Sequence, residues 1–229
     1  MPGVIAHNLS HRVGDLRTRV DVLRDVSLEA PAGEVTAVVG PAGSGKTSLL
    51  HLLAGLDRPM AGTVTLDGRQ LRGLDDVELT RLRRDRIGLL LPGASVLPTI
   101  TVRENVALPL LIARRPHEPE AVDALLDRVG LGERREEMPG DLTASERQRA
   151  ALARALVGRP SVLLADEPAG GLEPEEGAHL LLLLRAIAHE DNVAVVLFTR
   201  DVDDAAGVAD RIVELDAGRL VAPAAPLAA

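Results

Sequence analysis

Eight consecutive residues in the first quarter of the chain have the types and spacing of a phosphate-binding loop. They match the pattern G-x-x-x-x-G-K-[ST] at every fixed position. The residues are Gly40, Pro41, Ala42, Gly43, Ser44, Gly45, Lys46 and Thr47, with Ser48 directly after them. Such a loop directs backbone N–H groups at phosphate oxygens, its lysine contacts the β- and γ-phosphates, and its threonine hydroxyl ligates Mg²⁺. The pattern therefore predicts a site for a nucleoside triphosphate and Mg²⁺.

The lysine of this loop is the only lysine of the chain. The other 25 of the 26 basic residues are arginines. A compact ammonium fits inside a glycine-rich loop, whereas a broad planar guanidinium does not. The alternative is a chance glycine-rich turn, but the buried strand predicted before it and the helix predicted after it argue against chance. We therefore interpret Lys46 as a phosphate ligand.

Two adjacent carboxylates supply the second half of the predicted chemistry. Asp166 and Glu167 follow the apolar run of residues 162–165, which is typical of a strand buried on both faces. The carboxyl ends of parallel strands form the ligand-binding edge of an α/β sheet. We expect Asp166 to hold Mg²⁺ through water and Glu167 to act as the general base for the attacking water. A solvated acidic pair is the alternative if these residues are taken alone.

The composition excludes several other classes. With a net charge of −8, no Trp or Tyr and one Phe, the chain has neither the charge nor the stacking groups of a nucleic-acid binder. The absence of Cys excludes a disulfide scaffold and a Cys-ligated zinc site. The N-terminus lacks a signal region, and the longest uncharged stretch, 87–102, is too short to span a bilayer. We expect a cytoplasmic protein that reaches the inner face of the cell membrane only through a partner.

Strands and helices alternate along most of the chain. Strands are predicted at 4–9, 20–30, 35–39, 62–66, 87–91, 162–165, 193–198 and 211–216, and helices at 47–56, 174–190 and 201–208. This order predicts an α/β fold with a mostly parallel sheet, an N-terminal antiparallel β lobe and a helical lobe inserted at about 100–157. We predict a single domain over 1–220, with the core and β lobe at 1–99 and 158–220. The Ala/Pro-rich segment 221–229 is expected to be a flexible tail.

Four segments make the chain resemble an ATP-binding subunit of an ABC transporter. They are the loop with residues 49–59 after it, the segment 97–110, the helix 147–156 and the segment 166–173. The most similar subgroup comprises the lipoprotein-release, macrolide-export and cell-division subunits. The resemblance covers about residues 4–220. It implies ATP and Mg²⁺ as ligands, a homo- or heterodimer with each ATP between two subunits, and a membrane permease that docks near 90–110.

The chain departs from the family pattern at several positions of the site. Val13 lies where the family has an adenine-stacking aromatic, Pro92 replaces the Q-loop glutamine, and Glu173 replaces the D-loop aspartate. Arg200 occupies the position where the family has its switch histidine. The signature L-S-G-G-Q begins at Leu142 and continues as Thr143, Ala144, Ser145 and Glu146. Both signature glycines have therefore gained a Cβ, and Glu146 adds a negative charge.

Each departure also has a purely structural interpretation. Thr143 and Glu146 fit a capping box at a helix start, and Arg200 is either a surface residue or a second contact to the γ-phosphate. Arg81, Arg83, Arg84 and Arg86 form a basic cluster that is typical of a solvated helix face. Two functions therefore stay open. One is a transport motor with slow ATP hydrolysis, and the other is a nucleotide-binding interaction subunit with little or no turnover.

Overall fold

The computed structural model describes residues 3–14, 19–93, 96–115 and 119–226. Two sheets and seven α-helices form its framework within those ranges. The larger sheet has six strands in the order β10-β9-β3-β8-β7-β6. Its strands are β3 (Val35–Val39), β6 (Ile87–Leu90), β7 (Val162–Asp166), β8 (Ala194–Thr199), β9 (Arg211–Asp216) and β10 (Arg219–Pro226). All adjacent pairs are parallel except β9 and β10.

The smaller sheet is antiparallel and comes mostly from the N-terminal part of the chain. Its order is β2-β1-β4-β5. The strands are β1 (Gly3–Val13), β2 (Val20–Pro31), β4 (Ala61–Leu66) and β5 (Arg69–Gln70). This sheet is the predicted antiparallel β lobe, and β2 also contacts β10 of the larger sheet.

The helices cover both faces of the larger sheet. They are α1 (Lys46–Leu53), α2 (Asp76–Arg86), α3 (Val102–Ile112), α4 (Pro119–Arg128), α5 (Ala144–Leu156), α6 (Pro174–Asp191) and α7 (Val202–Val208). Short 3₁₀ turns at Gly132–Arg134 and Pro139–Asp141 lie between α4 and α5. Because β3, β7 and β8 are fully buried, their apolar side chains alternate between the two covered faces.

Three apolar clusters correspond to this layering. One joins the antiparallel sheet, α1 and one face of the larger sheet, and the second joins the opposite face to α5, α6 and α7. The third holds α3, α4 and part of α5 together. Helix α5 belongs to two clusters, since Leu152 packs under the sheet while Ala150 faces α3 and α4. The helical segment therefore packs directly against the sheet that carries the phosphate loop.

Three local predictions differ from the structure. Helix α1 ends at Leu53 rather than at residue 56, because Gly55 adopts a positive φ of 62°. Helix α2 was not among the predicted helices, and it carries the basic cluster on a mostly solvated surface. The expected tail from Val221 is wrong for 221–226, because β10 continues to Pro226 through pairing with β9. Residues 227–229 lie outside the described residues.

None of the helices in the described ranges has both the length and the apolar character that crossing a membrane requires.

The single phenylalanine lies at the centre of the larger sheet. Phe198 is fully buried and is in register with Val38 of β3 and Asp166 of β7. We expect Phe198→Ala to lower the free energy of unfolding by about 3–5 kcal/mol, because truncation leaves a cavity in a packed layer. Leu182→Ala on the half-exposed surface of α6 is the control, with a loss below about 1 kcal/mol. Urea unfolding measures both, and equal losses would contradict the central packing of Phe198.

Candidate nucleotide-binding site

The predicted phosphate loop connects the buried strand β3 to helix α1. Gly43 and Gly45 adopt positive φ values of 79° and 109°, which favour glycine. A Cβ on Gly40 would lie 2.1 Å from the backbone oxygen of Leu215, so only glycine fits there without a shift of the backbone. The Gly40 N–H donates to the Thr199 oxygen at 3.2 Å. Neighbouring strands β8 and β9 therefore fix the start of the loop.

Lys46 lies inside the loop, with 7% of its surface exposed. Its Nζ donates to the backbone oxygens of Gly40 at 2.5 Å and Pro41 at 3.1 Å. Burial lowers the pKa of the Lys46 ammonium, and the carboxylates of Glu167 and Asp166 partly oppose that effect. Two neutral backbone oxygens thus hold the ammonium inside the loop. A bound phosphate can take their place and is a stronger partner, because it is charged.

Ser44 provides a separate sign that the loop fits an anion. Its Oγ is buried and makes no hydrogen bond with any residue in the described ranges. Buried polar atoms without a partner are uncommon in folded proteins. A phosphate oxygen would supply the missing acceptor, so the loop residues fit a nucleoside triphosphate.

Asp166 and Thr47 meet beside the loop. The Thr47 Oγ1 donates to Asp166 Oδ2 at 3.4 Å. Burial and the neighbouring Glu167 raise the pKa of Asp166, while the Thr47 hydrogen bond and Lys46 lower it. Hard oxygen donors of this kind suit Mg²⁺, which takes few protein ligands and completes its shell with phosphates and water. No cluster of three or more His, Cys, Asp or Glu that could hold a metal occurs in the ranges described above.

Glu167 lies at the end of β7 and faces Arg200 at the end of β8. The Arg200 Nε donates to Glu167 Oε1 at 3.0 Å, and the Arg200 backbone N–H donates to Oε2 at 3.4 Å. Glu167 has a φ of +45°, and its own N–H donates to the Phe198 oxygen at 2.8 Å. The structure therefore brings the predicted base and the residue at the switch position into direct contact, which the sequence did not reveal.

Three other positions at which the chain departs from the family pattern lie on the surface. Pro92 is exposed just after β6, and Glu173 is exposed at the start of α6, where its side chain makes no capping hydrogen bond. Val13 is 39% exposed and pairs with Val20 at the end of the hairpin where the chain passes from β1 to β2. No hydrogen bond or ion pair in the described part of the chain joins these side chains to the loop.

The signature-like residues start helix α5 as a complete capping box. The Thr143 N–H donates to Glu146 Oε2 at 2.8 Å, and the Glu146 N–H donates to Thr143 Oγ1 at 3.1 Å. The Nε of Arg134 lies 3.3 Å from Glu146 Oε1, a contact that the sequence did not reveal. The predicted capping function is confirmed, and the negative charge of Glu146 is paired within the chain. Ala144 and Ser145 form the first turn of α5 between these two residues.

One residue of the site, Thr199, was not predicted from the sequence. Thr199 accepts the Gly40 N–H with its backbone oxygen and accepts the Asp201 N–H at 3.0 Å with its hydroxyl. It is almost completely buried. A polar residue at the end of the apolar run 193–198 was the available signal, because polar groups at that edge of a sheet contact ligands or loops.

The capping box also leads to a prediction about pH. The hydrogen bond from the Thr143 backbone lowers the pKa of Glu146 below its ordinary value of 4.5, and Arg134 acts in the same direction. Ionised Glu146 therefore stabilises the fold above about pH 4.5, and this contribution disappears as the pH falls through the lowered pKa. We expect Glu146→Gln to lose about 0.5 kcal/mol of unfolding free energy at pH 7 and progressively less as the pH falls below about 4.5.

A matched control exists on helix α3. Glu104 forms the same capping box with Thr101 but has no arginine partner among the described residues. Glu104→Gln should lose less unfolding free energy than Glu146→Gln at pH 7 in the same urea titrations. A loss in Glu146→Gln that stays constant between pH 7 and pH 3 would contradict the assigned charge interaction.

Comparisons with known proteins agree with this geometry. A family model described as "ABC transporter" matches residues 23–170. The chain is similar to the lipoprotein-releasing system ATP-binding protein LolD of Hydrogenovibrio crunogenus, with 40% identity over 97% of both chains. It is also similar to LolD of Myxococcus xanthus, with 43% identity over 80% of this chain and 83% of the relative.

A solved structure shares the whole fold. It is the dimeric ATP-binding cassette MJ0796 in a post-hydrolysis state bound to ADP and Pi. The TM-score is 0.88 and the sequence identity 31%, with 99% of both chains covered. The α/β fold predicted from the sequence and the family that it resembles are both confirmed. The chain therefore belongs to the ABC transporter family, as one of its ATP-binding cassettes.

Proposed function

We propose that this cassette binds Mg-ATP firmly, hydrolyses it slowly, and couples binding to a membrane permease that exports or extracts a lipid-linked or hydrophobic substrate. The observation that carries this proposal is the buried Lys46 ammonium, which lies in a loop next to the Thr47 and Asp166 oxygens. The similarity to lipoprotein-releasing subunits supports the substrate class.

Each residue of the site has a distinct task in this proposal. The loop N–H groups and Lys46 bind the β- and γ-phosphates, and Thr47 and Asp166 hold Mg²⁺, which neutralises phosphate charge. Glu167 accepts the proton of the attacking water as the water oxygen bonds to the γ-phosphorus. The bond to the β–γ bridging oxygen breaks, and ADP and phosphate are the products.

Slow turnover follows from groups that the chain does not supply. The Pro92 side chain has no donor or acceptor with which to orient Mg²⁺ or water. At the signature, Ala144 and Ser145 carry a Cβ where glycines let the backbone approach a phosphate. In a homodimer these defects would affect both sites, and a heterodimer with an intact partner would still have one defect in each.

A second candidate function is a nucleotide-binding interaction subunit with little or no turnover. The contact between Arg200 and Glu167 favours it, because both oxygens of the carboxylate are engaged. The two functions make the same prediction for ATP binding and differ only in turnover.

The permease interface is proposed at a groove beside the edge strand β6. This cavity of about 440 Å³ is bordered by α2, α3 and α5. Leu56 and Ile112 at its rim are 49% and 70% exposed, so the groove offers apolar area to a partner. Arg154, which lines it, makes no ion pair with any residue of the described part of the chain, so an acidic side chain of the permease would suit it. Docking there would place the cassette at the inner face of the cell membrane.

Two substitutions separate binding from turnover. We expect Lys46→Ala to weaken Mg-ATP binding at least about tenfold, since a charged phosphate contact is lost. Glu167→Gln should retain binding and lose turnover, and the exposed Glu29→Gln serves as its neutral control. Calorimetric titration gives binding, and phosphate release gives turnover, with a wild-type rate below about 1 s⁻¹ expected.

Two outcomes would contradict the proposal. A wild-type rate well above about 1 s⁻¹ that disappears in Glu167→Gln would exclude slow hydrolysis. A wild-type protein that fails to bind millimolar Mg-ATP would exclude the nucleotide site itself.

A further inference from the structure

Helix α2 has its charges separated along its axis. Its first turn carries acidic residues, and its last turn carries Arg83, Arg84 and Arg86. Cations at a helix C-terminus are favoured by the helix dipole, which accounts for the arginines of the last turn. The dipole gives no reason for Arg81, which lies before that turn on the exposed face of the helix, four residues after the exposed Val77.

A second basic segment lies against the C-terminal end of α2. Arg114 and Arg115 follow the last turn of α3, and both are exposed. The Arg115 Nη2 donates to Asp85 Oδ1 at 2.7 Å, and the Arg84 Nε donates to the same oxygen at 2.8 Å. Asp85 thus joins the C-terminal ends of the two helices into one surface. We call the exposed arginines of this surface the basic corner: Arg81, Arg84, Arg86, Arg114 and Arg115.

The basic corner carries more positive charge than its carboxylates neutralise. Asp85 serves two of its five arginines, and Asp67 Oδ2 lies 3.9 Å from a third, Arg86. Among the residues that the structure describes, no carboxylate forms an ion pair with Arg81 or Arg114. The chain as a whole has a net charge of −8, so this local excess opposes the sign of the molecule. Such a patch is complementary to an anionic partner.

Apolar side chains are exposed next to these charges. Leu111 is 52% exposed and Ile112 70% exposed in the last turn of α3, and Leu56 lies with Ile112 at the rim of the groove that Arg84 also lines. Exposed apolar groups beside cations suit an anionic bilayer surface, where the apolar groups enter the headgroup region and the cations contact lipid phosphates. A single-stranded nucleic acid fits less well, because the only aromatic residue, Phe198, is buried and cannot stack on bases.

We propose that the basic corner binds anionic phospholipid headgroups of the membrane surface beside the permease. This inference rests on the proposed function, because docking of the neighbouring groove onto the permease turns the corner toward the bilayer. The cytoplasmic leaflet is negatively charged, and each arginine close to it strengthens binding about fivefold. The contact holds the cassette with its groove against the membrane, and it requires neither nucleotide nor permease.

Vesicle flotation of the purified cassette tests this contact. Vesicles of phosphatidylglycerol and phosphatidylcholine in equal parts are compared with vesicles of phosphatidylcholine alone. Each binding measurement is made at low ionic strength and at about 1 M salt, where the Debye length falls to about 3 Å.

Two double variants with the same net charge separate the basic corner from the rest of the surface. The test variant, Arg81→Gln with Arg114→Gln, removes two exposed arginines of the corner. The control variant, Arg24→Gln with Arg219→Gln, removes two exposed arginines from β2 and from β10. Strand β10 lies at the opposite edge of the larger sheet from β6, so the control charges are distant from the corner.

We expect the wild type to bind the mixed vesicles at low salt and to bind at least about tenfold more weakly at 1 M salt or without the anionic lipid. The test variant should bind the mixed vesicles about 20-fold more weakly, and the control should stay within about twofold of the wild type. Equal losses in the two variants would overturn the proposal, because net charge alone would then set the affinity. Equal binding of the wild type to neutral vesicles, or no binding to mixed vesicles, would overturn it as well.

Two further measurements distinguish other outcomes. A wild type that ignores the vesicles but binds poly-glutamate through Arg81 and Arg114 would overturn the lipid contact and assign the corner to an acidic protein segment. Calorimetry of Mg-ATP binding on the same preparations should give equal affinities for the wild type and the test variant. Intact Mg-ATP binding without vesicle binding would overturn this inference alone, whereas vesicle binding without Mg-ATP binding would overturn the proposed nucleotide function.

Discussion

The nucleotide site depends on the close passage of the chain at Gly40, where strand β3 leaves the sheet between β8 and β9. A Cβ there would lie 2.1 Å from the Leu215 oxygen, so the strand must end in a residue without a side chain. The hydrogen bond from Gly40 to Thr199 fixes the loop to β8. Because β7 is the other neighbour of β8, Asp166 is brought to the same edge. The order of the strands thus assembles residues that lie far apart in sequence.

The structure shows the contacts of the single lysine of the chain and of the arginine at position 200. Every Lys or Arg residue except Lys46 is an arginine, and two backbone oxygens inside the loop hold the Lys46 ammonium. At position 200, by contrast, an arginine occurs where the family has a histidine, and it binds the candidate base directly. An arginine cannot relay a proton at neutral pH, since its guanidinium stays charged. We therefore propose that the site keeps its charge complementarity to phosphate while its proton chemistry differs.

Elements whose structure is determined by a local pattern could be predicted from the sequence. The buried strands β3, β7 and β8 could be predicted because β-branched and apolar runs suit a sheet covered on both faces. Helix α2 could not be predicted, because charged residues dominate it and only Leu79 and Leu82 are buried. Strand β10 could not be predicted either, since it depends on backbone pairing rather than on side chains. The phosphate loop was predictable from one contiguous motif. The contacts of Glu167 with Arg200 and of Glu146 with Arg134 were not, because each joins segments that only the tertiary fold brings together.

We propose that phosphate binding is intact in this cassette while the groups that activate and align the reaction are weakened. The most direct test is the steady-state turnover of a variant that combines Pro92→Gln, Ala144→Gly and Ser145→Gly. None of these residues belongs to the phosphate loop or to the capping box of Thr143 and Glu146. Removing one hydrogen-bond donor at a transition state commonly costs 100-fold or more, so we expect their return to raise turnover at least about tenfold with unchanged affinity for Mg-ATP. Turnover equal to that of the wild type would contradict the claim.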